Sequence, residues 1–238
     1  MPQVINTNIS ALFAGQALNR SNNDLQTAMQ RLSSGLRINS GKDDPTGLGL
    51  AVGFDSQVRG TNQAVRNASN GISIAQTSDS YIGQVTENLQ RLREIAVQLG
   101  GTASGSETTA LLAENARIAA LTVATGAVVV NSAGGTVTGV GVALTAPTGV
   151  TVAAITTDIT ASSTARSLFG ADMATFGSAV ANLQAASVFL SAQFSRIMDT
   201  DYAMETTNMT RNQILQQAGT AMLAQANQVP NTVLSLLR

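Results

Sequence analysis

Apolar positions recur at intervals of three and four along both ends of the chain, and the pattern dissolves in between. Near the N-terminus, Leu18, Leu25, Met29, Leu32 and Leu36 follow at spacings of seven, four, three and four. Such spacing stacks them on one face of a helix, in a stripe narrow enough for coiled-coil packing. The pattern predicts a first helix over about 5–36, with Asn, Gln and Ser on the opposite face. Gly41 and Asp44-Pro45 then break the chain. Asp44 is placed to cap a new helix and Pro45 to occupy its first position. A second, very long helix is predicted over about 45–99. Val58, Val65, Ala68, Ile72, Ala75, Ile82, Val85, Leu89, Leu92, Ala96 and Leu99 keep its heptad register, with Asp79 at the one missing place. Gly100-Gly101 ends it, and a shorter helix follows over about 106–121.

The middle, about 122–160, alternates β-branched residues with Gly and Thr. Val128-Val129-Val130, Val137-Thr-Gly-Val140 and Val150-Thr-Val152 read as short strands or hairpins, with Asn131 and Gly134-Gly135 as turn signals. The third long helix is predicted from about Ala174, on Phe176, Val180, Leu183, Ser187, Leu190, Phe194 and Ile197. The same register continues through Leu215, Met222 and Val229, growing more polar, and Pro230 is expected to kink or end it. A small apolar tail, Val233-Leu234-Ser-Leu236-Leu237, follows. The fold expected is mainly α: a long antiparallel coiled-coil rod of N- and C-terminal helices with a small β-hairpin region in the middle of the chain. Its domains would be 1–40 with 198–238, a terminal coiled coil, and 41–197, a rod of long helices with a β region at 122–160. The positions expected to pack helices or subunits are Leu18, Leu25, Met29, Leu32, Leu36, Leu215, Met222, Val229, Leu234 and Leu237.

Composition narrows the chemistry. Charged residues are 11% and aromatics 3% of the 238, with no Trp, so the core must rest on Leu, Ile, Val, Met and Ala. A net charge of −1 gives no electrostatic case for nucleic acid or an anionic membrane. There is no Cys and no His, which excludes disulfides, thiolate chemistry and the commonest general base and metal ligand. Met1–Asn8 lacks the basic and apolar regions of a cleavable signal peptide, and no stretch reads as a membrane span. Asp43-Asp44 and Asp199/Asp201 fit capping and hinge roles better than catalysis. Gly47-Leu-Gly49 lacks the strand and third glycine of a dinucleotide loop. No cofactor or metal site is expected, and no enzyme.

Several ordered runs resemble bacterial flagellin. They are Gln3-Val-Ile-Asn-Thr-Asn8, Arg31-Leu-Ser-Ser-Gly-Leu-Arg-Ile-Asn-Ser40, Lys42-Asp-Asp44 and Asn70-Gly-Ile-Ser-Ile-Ala-Gln-Thr77 on the N-terminal side. On the C-terminal side they are Gln213-Ile-Leu-Gln-Gln-Ala-Gly219, Leu223-Ala-Gln-Ala-Asn-Gln-Val-Pro230 and Leu234-Ser-Leu-Leu-Arg238. Pro45-Thr46 stands where the family usually has Ala-Ala, and the short middle leaves no room for the outer variable domains of larger flagellins. The resemblance implies a secreted subunit of the extracellular flagellar filament, serving motility. Its partners would be copies of itself and the flagellar export chaperone, cap and hook-junction proteins. Terminal helices with narrow apolar stripes bury too little alone to offset the entropy of ordering. They are therefore expected to order on assembly, through head-to-tail contacts that build an open helical polymer. Gln90-Arg91-Leu92-Arg93-Glu94-Ile95-Ala96-Val97-Gln98 resembles the segment recognised by Toll-like receptor 5. Carried over by position, Arg91, Ile95 and Gln98 would contact the receptor, supported by Glu114. The alternative within the same axial family is a hook–filament junction protein, which would assemble as a short ring.

Overall fold

The computed structural model describes residues 7–129 and 135–236. Among these are five helices, α1 (Ile9–Ser34), α2 (Pro45–Gln98), α3 (Ser106–Ala119), α4 (Val152–Met198) and α5 (Tyr202–Leu236), and two strands, β1 (Ala127–Val129) and β2 (Thr136–Thr138). The strands pair antiparallel, Val128 opposite Val137. The fold is mainly α, with its small β element in the middle of the chain. It divides into two compact units, Met1–Gly53 with Gln193–Arg238, and Phe54–Ala192.

The helix boundaries follow local chemistry. Asn8 caps α1, its Oδ1 accepting from the Ala11 amide at 3.1 Å. Gly35 ends α1 in the left-handed region at φ 72°, donating its amide to the Arg31 carbonyl. A Cβ there would stand 2.9 Å from the Tyr202 hydroxyl, so the position needs glycine on both counts. Asp44 caps α2, accepting the Gly47 amide at 2.8 Å, with Pro45 as the first helical residue.

In the unit Phe54–Ala192, α2 and α4 run antiparallel. Asn62 meets Ser187, and Asp79 meets Arg166. The buried stripe of α2 is Thr61, Ala64, Ala68, Gly71, Ala75, Ser78, Ile82, Val85, Leu89, Leu92 and Ala96. This is an unbroken alternation of three and four, but its N-terminal half differs from the sequence expectation. Val58, Val65 and Ile72 are only half-buried, Leu99 is exposed, and the polar place in the stripe belongs to Ser78 rather than Asp79. Small residues line this stretch, and at Gly71 the Phe176 ring leaves no room for a side chain. A Cβ on Gly71 would lie 3.1 Å from that ring and 3.2 Å from Val128. Buried Ser78 donates to the Val123 carbonyl and accepts the Val123 amide, fixing the segment after α3 against α2. Ile118 of α3, with Ile155 of α4, completes the core around Val85, Leu89 and Leu92.

The start of α4 overturns two expectations. It begins at Val152, not near Ala174, so the β region of 122–160 contracts to the single hairpin. Val150-Thr-Val152 forms no strand; Thr151 makes one isolated bridge to Thr102 and caps the helix at 3.3 Å. Along this β-branched run the hydroxyls bond back one turn. Thr156, Thr157, Thr160 and Thr164 donate to the carbonyls of Val152, Ala153, Thr156 and Thr160. The buried stripe of this half is Ile155, Ser162, Ala165, Phe169, Asp172 and Phe176, and its two polar members hide the heptad from an apolar reading. Asp172 holds the middle of the chain to the helix. Its carboxylate accepts the Val140 amide at 2.7 Å, the Gly141 amide at 2.8 Å and the Thr125 hydroxyl.

By length and composition alone α4 passes as long and apolar enough to cross a membrane, but Ile155, Ala165 and Phe169 on it pack into the core with α2. Of the two outcomes expected at Pro230, a kink or an end, the end does not occur: α5 continues to Leu236. Val229 and Leu234 belong to α5, but their side chains, like Leu237 and the expected turn signals at Asn131 and Gly134, lie outside the described residues.

Candidate assembly surface

In the unit Met1–Gly53 with Gln193–Arg238, α1 and α5 pack antiparallel. The Asn8 amide group donates to the Ala226 carbonyl at 2.8 Å, Ser21 to the Asn212 carbonyl at 3.1 Å, and Gln216 to Asn22 at 2.8 Å. Leu18 lies against Gly219, where an added Cβ would sit 3.3 Å from it. Arg31 pairs with Glu205 at 3.7 Å, the carboxylate side chain only 10% exposed. At the ends of these helices the Arg37 guanidinium donates to the Ile197 carbonyl at 2.8 Å, and the Arg37 amide to Met198 at 2.6 Å. These bonds satisfy carbonyls that the end of α4 leaves open. A small core of Ile38, Ala51 and Met198, flanked by Leu36, Leu48, Phe194 and Ile197, closes this end.

The face of α5 turned to α1 is Glu205, Met209, Asn212, Gln216, Gly219, Leu223 and Ala226, spaced by four and three. It is largely polar or small. Of α1, only Ser21 and Ala28 are buried; Leu18, Leu25, Leu32 and Leu36 are half-buried and Met29 is exposed. Leu215 and Met222 therefore do not pack α5 onto α1 as its buried stripe. They stand 50% and 64% exposed. Together with Ile9, Phe13, Ala14, Ala17, Leu18, Ala218 and Ala226 they line an open, mainly apolar groove of about 820 Å³ along the helix pair. Ile9, Leu12 and Phe13 are also two-thirds or more exposed. Contiguous apolar surface of this kind marks an interaction site.

The sequence-derived receptor residues separate. Ile95 is 8% exposed and packs in the core with Leu92 and Ala96, so its side chain has no free surface to offer. Arg91 and Gln98 are exposed and Glu114 is half-buried. Arg91 bridges Glu107 of α3 at 2.9 Å and Glu94 at 3.1 Å; the Glu107 hydrogen bond leads in raising its pKa, the Glu94 bond adding to it. Glu114 is engaged by Arg117 at 2.6 Å, whose hydrogen bond lowers the carboxyl pKa. These pairs join polar surfaces and assemble no reacting groups. Among the described residues no three His, Cys, Asp or Glu side chains gather to hold a metal ion.

Long paired helices, an open apolar groove and surface ion pairs make a structural protein that works by packing. The sequence matches the bacterial flagellin N-terminal helical region over residues 5–133 and the bacterial flagellin C-terminal helical region over residues 152–237. It is 37% identical to a flagellin of Xenorhabdus nematophila over 316 aligned positions that cover the whole of both chains. It is 35% identical over 285 positions to the flagellar filament 33 kDa core protein of Treponema phagedenis, covering 99% of this chain and all of the other. A flagellin of Salmonella muenchen is 50% identical over 115 residues, 48% of this chain and 23% of that one. The chain belongs to the bacterial flagellin family, as a short form without the outer variable domains, and is a structural subunit of the flagellar filament.

Proposed function

We propose that the chain polymerises through the groove between α1 and α5, with the terminal segments 1–40 and 198–238 forming the filament core. The observation that carries this reading is the exposure of Ile9, Phe13, Leu215 and Met222 along one groove. A lone subunit leaves this surface in water, and burial contributes roughly 25 cal/mol per Å² of apolar area. Leu25, Met29, Leu32, Val229, Leu234 and Leu237 extend the same packing, within the chain or between copies. Val188 and Phe189 of α4, 69% and 68% exposed, supply further apolar surface to a neighbouring copy. In this reading the subunit leaves the cell by the flagellar export route and meets the export chaperone, the cap and the hook-junction proteins on the way.

The test is seeded polymerisation followed by negative-stain electron microscopy. Wild-type chain extends short seeds into long filaments of uniform diameter. Phe13→Asp, which places a charge in the groove, does not. Short rings from the wild-type chain would instead support a hook–filament junction protein.

A second reading rests on the exposure of Arg91 and Gln98 on α2, with Glu114 half-buried on α3. These residues offer a polar surface for Toll-like receptor 5, without Ile95. Reporter-cell signalling by Arg91→Ala equal to wild type would dismiss that surface.

A further inference from the structure

We infer that Met222 is an oxidation-sensitive site, through which peroxide converts an assembly-competent subunit into an incompetent one. The inference rests on the assembly reading above. The chain has no Cys and no Trp, so the thioethers of its seven methionines are its most readily oxidised groups. The fold sorts the described ones. Met198 is 7% exposed, Met173 and Met209 are half-buried, and Met29, Met204 and Met222 are exposed. Of the exposed three, only Met222 lines the apolar groove, beside Leu215, Phe13 and Ile9.

The chemistry is a two-electron oxygen transfer. The sulfur lone pair attacks one peroxide oxygen and the O–O bond breaks. The thioether becomes a sulfoxide, and hydrogen peroxide is reduced to water. The product is polar and chiral where an unbranched apolar side chain stood. A sulfoxide in the groove would be desolvated on assembly without a partner arranged to donate to it, which opposes burial. In the free subunit the sulfoxide points to water and costs the fold little. The effect therefore falls on polymerisation rather than on folding. In the filament, packing against a neighbouring copy would shield Met222, so oxidation acts on subunits before they are built in. Methionine sulfoxide reductases reverse the reaction, which makes the change a switch.

The test treats purified subunits with hydrogen peroxide. It maps added oxygen on each methionine by peptide mass spectrometry and follows seed extension. Wild-type subunits carrying the sulfoxide at Met222 extend seeds about tenfold more slowly, the scale of losing one well-packed interface side chain. Helix content by circular dichroism stays the same, and a mixture of the two reductases restores the rate. Met222→Leu removes the reaction; its extension rate after the treatment equals its own rate before it, although Met29 and Met204 are oxidised. Met222→Gln extends slowly without peroxide. Wild-type chain that carries the Met222 sulfoxide yet extends at the untreated rate would overturn the inference, as would Met222→Leu slowing as much as wild type. Untreated wild type failing to extend seeds would overturn the assembly reading and this inference with it; that control distinguishes the two failures.

Discussion

The two units use the same heptad spacing to opposite ends. In Phe54–Ala192 the stripe of α2 from Ala64 to Ala96 sits against Phe169, Phe176 and Ile155, and most of its members have no solvent exposure at all. In the terminal unit the α1–α5 contact buries Ser21, Ala28 and Glu205 and makes polar cross-links through Asn8, Asn22 and Gln216. Its larger apolar side chains, Phe13, Leu215 and Met222, face out. One unit completes its core within a single chain. The other leaves an open apolar groove among its described residues. Partial self-pairing keeps α1 and α5 in register while leaving the surface free.

The comparison is broken most directly by a pair of substitutions. Phe176→Ala removes a fully buried ring and should destabilise the subunit by about 3–5 kcal/mol in denaturant unfolding. Phe13→Asp, at a residue 73% exposed, should change the same measurement by less than about 0.5 kcal/mol while abolishing seed extension. Equal losses of stability from the two would erase the distinction between the units. Within the buried unit, Asp172→Ala strands the Val140 amide and leaves the Gly141 amide only the Thr125 hydroxyl, and should cost about 1–3 kcal/mol. Hydrogen exchange at those amides should rise before exchange in α2 does; simultaneous opening would mean that Asp172 does not hold that segment separately. The smallest effect expected is in the terminal unit. The amides of Asn39 and then Ser40, with the Ser40 hydroxyl, hold the Asp43 carboxyl below its ordinary pKa. A depressed carboxyl pKa stabilises the turn above the ordinary carboxylate range, and that stabilisation is lost as pH falls through the lowered value. Amide chemical shifts of Asn39 and Ser40 should move together in that acidic window and stay flat above it. Movement near neutral pH would contradict the assignment.

What the sequence discloses follows from where its large apolar side chains lie. Ile82, Val85, Leu89 and Leu92 mark the buried face of α2 because big residues occupy it. Thr61, Ala64 and Gly71 mark the same face through smallness, which an apolar reading does not register; at Gly71 the reason is the Phe176 ring, 3.1 Å from where a Cβ would stand. Ser162 and Asp172 hide the first half of α4, whose Thr-rich composition imitates strands until the back-bonding hydroxyls are seen. On α5 the apolar periodicity through Leu215 and Met222 traces the groove, whereas the face against α1 is polar. Periodicity announces that a helix has a face to bury; it does not say whether its own chain or another one buries it. Asp44 and Pro45 were fully legible because a helix cap is local. Ile95 was not, because carrying a residue over by position says nothing of which way its side chain turns.

Amide hydrogen exchange, measured on free subunits and on filaments side by side, separates a self-sufficient core from one completed by assembly. In α2, Ala75 to Ala96 should be protected in both, whereas α1 and α5 should exchange quickly in the subunit and become protected only in the filament. Strong protection of α1 and α5 already in the free subunit, unchanged on polymerisation, would mean that assembly does not complete the terminal unit.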